Sequence, residues 1–319
     1  MLRHVEPNPV DVSAVHARPY RHSSDFEAVR SLLVDTYSAT PLAFNWEVRR
    51  WDELSFHRTT APSPPDWVIG ARIWETESGS VVGAVHPEGP SSAQIQIHPA
   101  HRHLEDEMIG WAKRNLTEPS GRRLTEVSIS ALDQDTARRR ILGEHGFRPT
   151  GSMGIDRRLR LQDRPARRVT VHTGYRIRTT DPHDPHDPER MAALLNASFG
   201  RTSHSASEYW AFARHSPSFD HHLNLVAEAK DGTLAAHVGV ALEPINRYGV
   251  VKPVCTHPAH RRLGLAAALI DEALDRLSHI GGEEALVSTG DGVAANRLYA
   301  EAGFTEVTRW TTWRKRVGS

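Results

Sequence analysis

Apolar residues recur at helical spacing along 263–280: Leu263, Ala266, Leu269, Ile270, Ala273, Leu274, Leu277 and Ile280. Asp271, Glu272, Asp275, Arg276 and His279 take the other side. The pattern predicts an amphipathic helix with one buried face. Gly281-Gly282 supplies the left-handed residue that commonly stops such a helix. Just upstream, Val254, Cys255 and Thr256 have strand character, and His257-Pro258 ends the strand because proline has no N–H for the ladder. Strand, loop and helix here make one unit.

The same reading organises the rest of the chain. A strand is predicted over 15–21, a helix over 25–37 begun by Ser23-Ser24, and a second helix over 45–54. Segments 67–74 and 80–85 read as a hairpin across Glu77-Ser78-Gly79, and 93–97 leads into His98-Pro99-Ala100-His101-Arg102. The order then recurs as a strand over 175–180, helices over 189–199 and 207–215, and a hairpin of 223–229 with 234–242 across Lys230-Asp231-Gly232. The strand at 254–256 leads into His257-Pro258-Ala259-His260-Arg261, identical to the earlier motif, and His145-Gly146-Phe147 answers Ala302-Gly303-Phe304 at nearly the same distance downstream. Two copies of one α/β fold follow. The polar, arginine-rich stretch 161–168 is the best boundary, giving domains 1–165 and 166–319.

The chain of 319 residues is long enough for two domains that each bury a core. Its 39 Lys plus Arg balance 39 Asp plus Glu, so the zero formal charge implies no field for nucleic acid or an anionic membrane. One cysteine excludes an intrachain disulfide and suits a reducing cytosol. With no apolar run of membrane-spanning length, and no signal peptide in Met1-Leu2-Arg3-His4-Val5-Glu6, the expected location is cytoplasmic. The twenty histidines are unusual. Asp181-Pro182-His183-Asp184-Pro185-His186-Asp187-Pro188 and His221-His222 lack the spacing of a zinc site, so a solvated loop is expected and no metal.

Chemistry concentrates where the strand at 254–256 meets its helix. Arg261-Arg262-Leu263-Gly264-Leu265-Ala266 places a glycine and an alanine in the first helical turn beside two guanidinium groups. A helix start has N–H groups without internal partners and the positive end of the dipole, so a phosphate or pyrophosphate is the natural ligand. Downstream comes Ala295-Asn296-Arg297-Leu298-Tyr299-Ala300-Glu301-Ala302-Gly303-Phe304.

Together, Arg261-x-x-Gly264-x-Ala266 and the A-x-x-L-Y-x-x-x-G-F segment resemble the GCN5-related N-acetyltransferase (GNAT) superfamily, in its tandem-domain arrangement. The resemblance implies two α/β (α+β) domains, each a mixed, mostly antiparallel sheet flanked by helices. It implies that residues 261–266 hold the pyrophosphate of acetyl-coenzyme A, with Asn296 also near the cofactor. The family's oxyanion donor is a backbone N–H on the preceding strand, at or near Val254 or Cys255, with Thr256 beside them. Tyr299 would protonate the departing thiolate. Where the family often has Asn, three residues before the first Ala of the second motif, this chain has Gly292.

The base does not carry over, because 250–254 reads Val-Val-Lys-Pro-Val and holds no carboxylate. Glu243, at the end of the preceding strand, and His257, at the loop entrance, are the candidates, although His98 holds the same place as His257 in the other copy. Cys255 has no neighbouring pattern of an activated thiol. Tyr209, Trp210 and Phe212 either line an acceptor pocket or pack in the core. In the first copy Leu104-Glu105-Asp106-Glu107 replaces Leu263-Gly264-Leu265-Ala266, and Leu142 replaces Tyr299. Carboxylates at a helix start neutralise the dipole and repel an anion, so no second coenzyme site is expected. The expected activity is transfer of an acetyl group from acetyl-CoA to the primary amine of a small molecule, by a monomer or homodimer. The alternative is a non-catalytic acyl-CoA-binding or regulatory module.

Overall fold

A computed structural model describes residues 14–56, 70–89, 91–116, 126–165, 170–181 and 184–316. The first half builds β1 (Val15–Pro19), α1 (His22–Thr36), α2 (Val48–Phe56), β2 (Arg72–Thr76), β3 (Val81–Pro87), β4 (Ala93–Ile97), α3 (Glu105–Asn115), β5 (Glu126–Leu132), α4 (Thr136–Glu144) and β6 (Arg148–Arg160). The second builds β7 (Tyr175–Thr179), α5 (Asp187–Phe199), α6 (Ala206–His215), β8 (Asn224–Ala229), β9 (Leu234–Glu243), β10 (Tyr248–Thr256), α7 (Leu265–His279), β11 (Glu284–Thr289), α8 (Val293–Glu301) and β12 (Thr305–Arg316). Both copies of the α/β fold are therefore present in the same element order. Of the expected strand 67–74, residues 67–69 lie outside the described residues, as do 166–168 of the boundary stretch, Met1 to Glu6, and Pro182-His183.

Local chemistry explains the ends of several elements. Ser205 and Glu208 form a reciprocal capping box at the start of α6. Gly200 ends α5 in the left-handed region, with φ 62°. The helix expected near Leu263 begins at Leu265 instead, because Arg262 and Gly264 both adopt left-handed φ, 67° and 73°. Ile280, expected on the buried face, is the C-cap of α7 and lies exposed.

The sheets do not divide where the chain does. β1 to β4 form one antiparallel sheet, while the other runs β5-β12-β6-β11-β10-β9-β8-β7. β12, the last strand of the second half, pairs with β5 and β6 of the first. β6 in turn pairs with β11. Each half thus completes its sheet with a strand from the other, so the stretch at 161–168 marks a joint in the chain rather than in the hydrogen bonding.

The halves also share a core. Val34 of α1 and Val48 of α2 cluster with Tyr248, Val250 and Leu286 of β10 and β11. Tyr37 stacks on Tyr248 with ring centroids 4.1 Å apart. Arg49 Nε donates to the Lys252 carbonyl at 3.0 Å, and Lys252 Nζ pairs with Glu53 at 2.5 Å.

Where β6 and β12 pair, Trp310 stands opposite Gly154 and its indole occupies the space beside it. A Cβ built on Gly154 would sit 2.1 Å from the indole. Gly154→Ala should therefore push Trp310 aside at about 1–3 kcal/mol. A lowered urea midpoint with altered tryptophan emission is the expected readout, and an unchanged midpoint would contradict this packing.

Candidate active site

β10 and β11 are parallel neighbours only at one end, from Tyr248↔Glu284 to Val250↔Leu286, and then diverge. The divergence starts where β10 carries a bulge between Val251 and Val254. A bulge inserts an extra residue and bends its strand. Beyond it β10 stays paired with β9, so its other edge faces an open V.

The ladder says which groups enter that V. The His257 N–H donates to the Ala235 carbonyl of β9 at 2.8 Å. Hydrogen-bonded pairs alternate along an antiparallel ladder. With Cys255 opposite His237 and Val254 opposite Val238, the backbone groups of Cys255 are turned to β9, and those of Val254 and Thr256 to the V. Of the two expected oxyanion donors, the geometry favours Val254. The Cys255 side chain packs with Met191, Leu194 and Tyr209, and burial pushes its thiol up to about 11. That environment suits a packed side chain, not a nucleophile.

At the mouth of the V, the first intrahelical bond of α7 runs from the Ala268 N–H to the Gly264 carbonyl at 3.0 Å. The N–H groups of Leu265, Ala266 and Ala267 are left without intrahelical acceptors, the arrangement that takes a phosphate. Arg261 folds back and donates to the Ser198 carbonyl at 3.1 Å and the Thr256 carbonyl at 3.4 Å, tying the loop to α5 and β10. Arg262 is exposed beside it, and Leu263 is half-buried against the α7 core.

Tyr299 of α8 shares an apolar cluster with Val254, Leu265 and Val287, one residue from each element of the V. Its ring meets Phe304 edge-on at 6.0 Å, and burial pushes the phenol up to about 12. Asn296 is occupied: its amide donates to the Gly290 and Gly292 carbonyls at 2.8 and 3.0 Å and accepts from Arg157 Nε at 3.2 Å.

The two candidate bases are not brought to this V as free groups. The Glu243 carboxylate accepts from the N–H groups of Ile245 and Asn246 at 3.0 and 2.7 Å, in the turn joining β9 to β10. It stands opposite Tyr248, at the closed end, roughly 20 Å of strand from Val254. His257 Nδ1 accepts from the Ala259 N–H at 3.2 Å, and His98 does the same for Ala100. Both histidines cap their turns. Tyr209 and Phe212 are buried in the packing of α6, with Arg49 over the Phe212 ring at 5.0 Å. Trp210 is half-buried under Arg214.

The first half has the same V between β4 and β5, joined by the parallel bridge of Ser92 with Ser128 just before β4 begins. Its backbone groups are taken by the chain itself. Ile97, the counterpart of Thr256, donates to Asn45 Oδ1 and accepts from Asn45 Nδ2, each at 2.9 Å. Phe44 clusters with Ile95 and Ile97 of β4 and with Ile129, Ala131 and Leu132 of β5. This use of residues 43–46 is why α2 starts at Val48 instead of the expected 45. The three carboxylates at the start of α3 also have internal partners. Glu105 binds Arg102 at 2.7 Å and Arg138 at 3.4 Å, Asp106 pairs with His145 at 2.9 Å, and Glu107 accepts from Trp74 at 3.0 Å.

The reading from motifs missed Glu47 and Asp156. Both line a cleft between the halves that reaches Val250, in the last parallel pair of β10 with β11, and Ser288, where the two strands part. Among the described residues, no group of three or more His, Cys, Asp or Glu side chains could hold a metal, and no helix is long and apolar enough to cross a membrane.

Residues 189–304 match the Acetyltransferase (GNAT) family. No curated protein sequence matches the chain. A tandem GNAT protein from the clavulanic acid biosynthesis pathway superposes with a TM-score of 0.67 at 18% identity, covering 96% of this chain and 99% of its own. A GCN5-related N-acetyltransferase from Sphaerobacter thermophilus gives 0.66 at 18% identity, covering 96% of each chain. A GNAT-family acetyltransferase from Colwellia psychrerythraea gives 0.55 at 13%, covering 95% of this chain and all of its own. With one V open beside a glycine helix start and Asn45 bound to the backbone of its twin, the chain carries an acetyltransferase (GNAT) family domain in its second half and, taken whole, has the fold of a tandem GNAT protein.

Proposed function

We propose that the protein transfers an acetyl group from acetyl-CoA to the primary amine of a small molecule, with acetyl-CoA held and its thioester attacked in the second half. The carrying observation is the contrast between the two Vs: the backbone groups of Val254 and the Thr256 N–H face the gap between β10 and β11, while both backbone groups of Ile97 are bound by Asn45. The pyrophosphate would rest on the N–H groups of 265–267, and the thioester would enter the V. The amine attacks its carbonyl carbon, and the oxyanion that forms accepts from the Val254 N–H. We infer no cofactor in the first half, where Asn45 binds the backbone groups of Ile97 and three carboxylates stand at the start of α3. The lone buried thiol fits a cytoplasmic setting.

Tyr299 is the donor to the departing sulfur in this scheme. A phenol held at about 12 stays protonated throughout the neutral range. It surrenders its proton only uphill to a thiolate, whose ordinary value is about 8.5. Its main part is therefore a hydrogen bond that strengthens as charge develops on sulfur, completed by transfer as the attacking nitrogen loses its own proton. In a thiol-release assay with acetyl-CoA and an amine panel, Tyr299→Phe should lower kcat about 10- to 100-fold with little change in KM for acetyl-CoA. Unchanged turnover would remove Tyr299 from the reaction.

The second reading is an acyl-CoA-binding module without transfer. It draws on the commitment of Glu243 to a turn, which leaves the second half without a carboxylate base on β9 or β10. On that reading acetyl-CoA binds but no amine increases thiol release.

A further inference from the structure

The cleft between the halves encloses about 1100 Å³, solvent at its mouth included. It is bounded by one face of the shared sheet and by both strands of the first V, 93–95 of β4 and 129–132 of β5. Asp156 stands opposite Ser288 in one register and Trp310 opposite Gly154 in the next, so Asp156, Ser288 and Trp310 project from the same side. Its roof is the segment that leads into α2, anchored by Asn45 and by the Trp46 N–H on Gln96 at 2.8 Å. The same segment sets Trp46 and Glu47 in the wall of the cleft.

The charges in this cleft are not balanced by one another. Arg50 is held bidentately by Glu88 at 2.5 and 2.7 Å, Arg138 by Glu105, and Arg157 by Asn296 and, at 4.0 Å, Glu306. Asp156 is only 8% exposed, and its Oδ2 has no hydrogen-bond partner. Burial holds its carboxyl above the ordinary carboxylate range against the pull of Ser288, Arg50 and Trp310. Glu47 accepts the Arg50 N–H at 2.6 Å and is faced by Lys252 and Tyr248 of β10 and by Arg49 and Arg50 of α2. Although part of its side chain is open to the cleft, desolvation by the surrounding protein pushes it up to about 7. A buried acceptor with no donor costs on the order of 1–3 kcal/mol, which a cationic ligand would relieve. Tyr37, Trp46 and Trp310 wall the same space.

We propose that this cleft is the acceptor site, and that Glu47 and Asp156 of the first half hold a small primary ammonium with an aromatic body and no carboxylate of its own. The inference rests on the transferase reading and narrows its substrate class. A carboxylate on the acceptor would find the cleft arginines already paired and would be repelled by Asp156 and Glu47. In the reaction the ammonium gives one proton to the Glu47 carboxylate, which passes it to solvent. The neutral nitrogen forms the C–N bond as the C–S bond breaks, and its second proton ends on sulfur. The products are the N-acetyl amine and the free thiol.

The test uses the full chain with phenethylamine and phenylalanine, which share a body and differ in the carboxylate. Amine binding is followed by tryptophan emission without acetyl-CoA, and turnover by thiol release. Phenethylamine should bind and be acetylated with kcat/KM at least about tenfold above phenylalanine. Asp156→Asn should raise KM for the amine about tenfold at constant KM for acetyl-CoA. Glu47→Gln should lower kcat and abolish the fall in turnover below about pH 7. Both substitutions are nearly isosteric, and an unchanged Tm certifies folding. Equal use of the two acceptors, no binding of phenethylamine, or unaltered amine KM and pH profile in the variants would overturn the proposal. Thiol release with unaffected variants would refute the cleft and keep the transferase. Amine binding weakened by the variants, without thiol release, would keep the cleft as a cation site and refute the transferase.

Discussion

A chain ending at residue 165, or one beginning at 166, is expected not to fold alone, whereas the two pieces expressed together should reconstitute the protein. The reason is the exchange of β6 and β12. Without the second half, β6 loses both its partners, β11 and β12, and β5 loses β12. Without the first, β12 has neither β5 nor β6, and β11 becomes an exposed edge. The shared cluster of Val34, Val48, Tyr248, Val250 and Leu286 is opened in either case. Domains are stable by only about 5–15 kcal/mol, and losses on this scale exceed that margin. Near-UV circular dichroism and urea unfolding of each piece are the measurements. A sharp cooperative transition in either isolated half would show that the exchanged strands are dispensable.

Substitution of Gly264 by glutamate should abolish acetyl-CoA binding in a calorimetric titration in which the wild type takes up one molecule per chain. Two effects combine at this position. Gly264 sits at φ 73°, where any side chain costs about 1–2 kcal/mol. A carboxylate at the start of α7 also competes for the N–H groups of 265–267 and repels the pyrophosphate, by on the order of 4 kcal/mol for a contact at about 4 Å. At least a hundredfold loss of affinity is expected. Gly264→Ala separates the effects, since a Cβ there meets no other atom within 4 Å. It should lower Tm while leaving most of the affinity. Wild-type affinity in Gly264→Glu would remove this loop from the cofactor site, and two molecules per chain would show that Asn45 and the carboxylates of α3 do not exclude a cofactor from the first half.

The residues that were legible before folding are those whose environment is made locally. The left-handed glycine, the free N–H groups behind it and the buried face of α7 depend on neighbours within about a helical turn. Tyr299 could be placed for the same reason, since its motif spans a helix and the turn that follows. The place of Glu243 was not legible, because being at the end of a strand does not say which end. It lies at the closed end of the V, in a turn that consumes its carboxylate. Val254 and Cys255 were indistinguishable by type; the ladder separated them.

The amino-acid sequence by itself determined that the chain holds two copies of one α/β fold, that the second keeps a helix start open to phosphate, and that the first replaces it with carboxylates. These follow from spacing, backbone preference and charge, which act over a few residues. Tertiary structure alone decided that the halves trade strands, that Asn45 binds the backbone of Ile97 in the first V, and that Glu47 and Asp156 line one cleft reaching the point where β10 and β11 part. Glu47 is some two hundred positions from the loop at 261–266, and no short-range pattern distinguishes it from a solvated carboxylate. Only the crossing of β6 and β12, which brings the first half against β10 and β11, gives these side chains a common space and shifts their protonation.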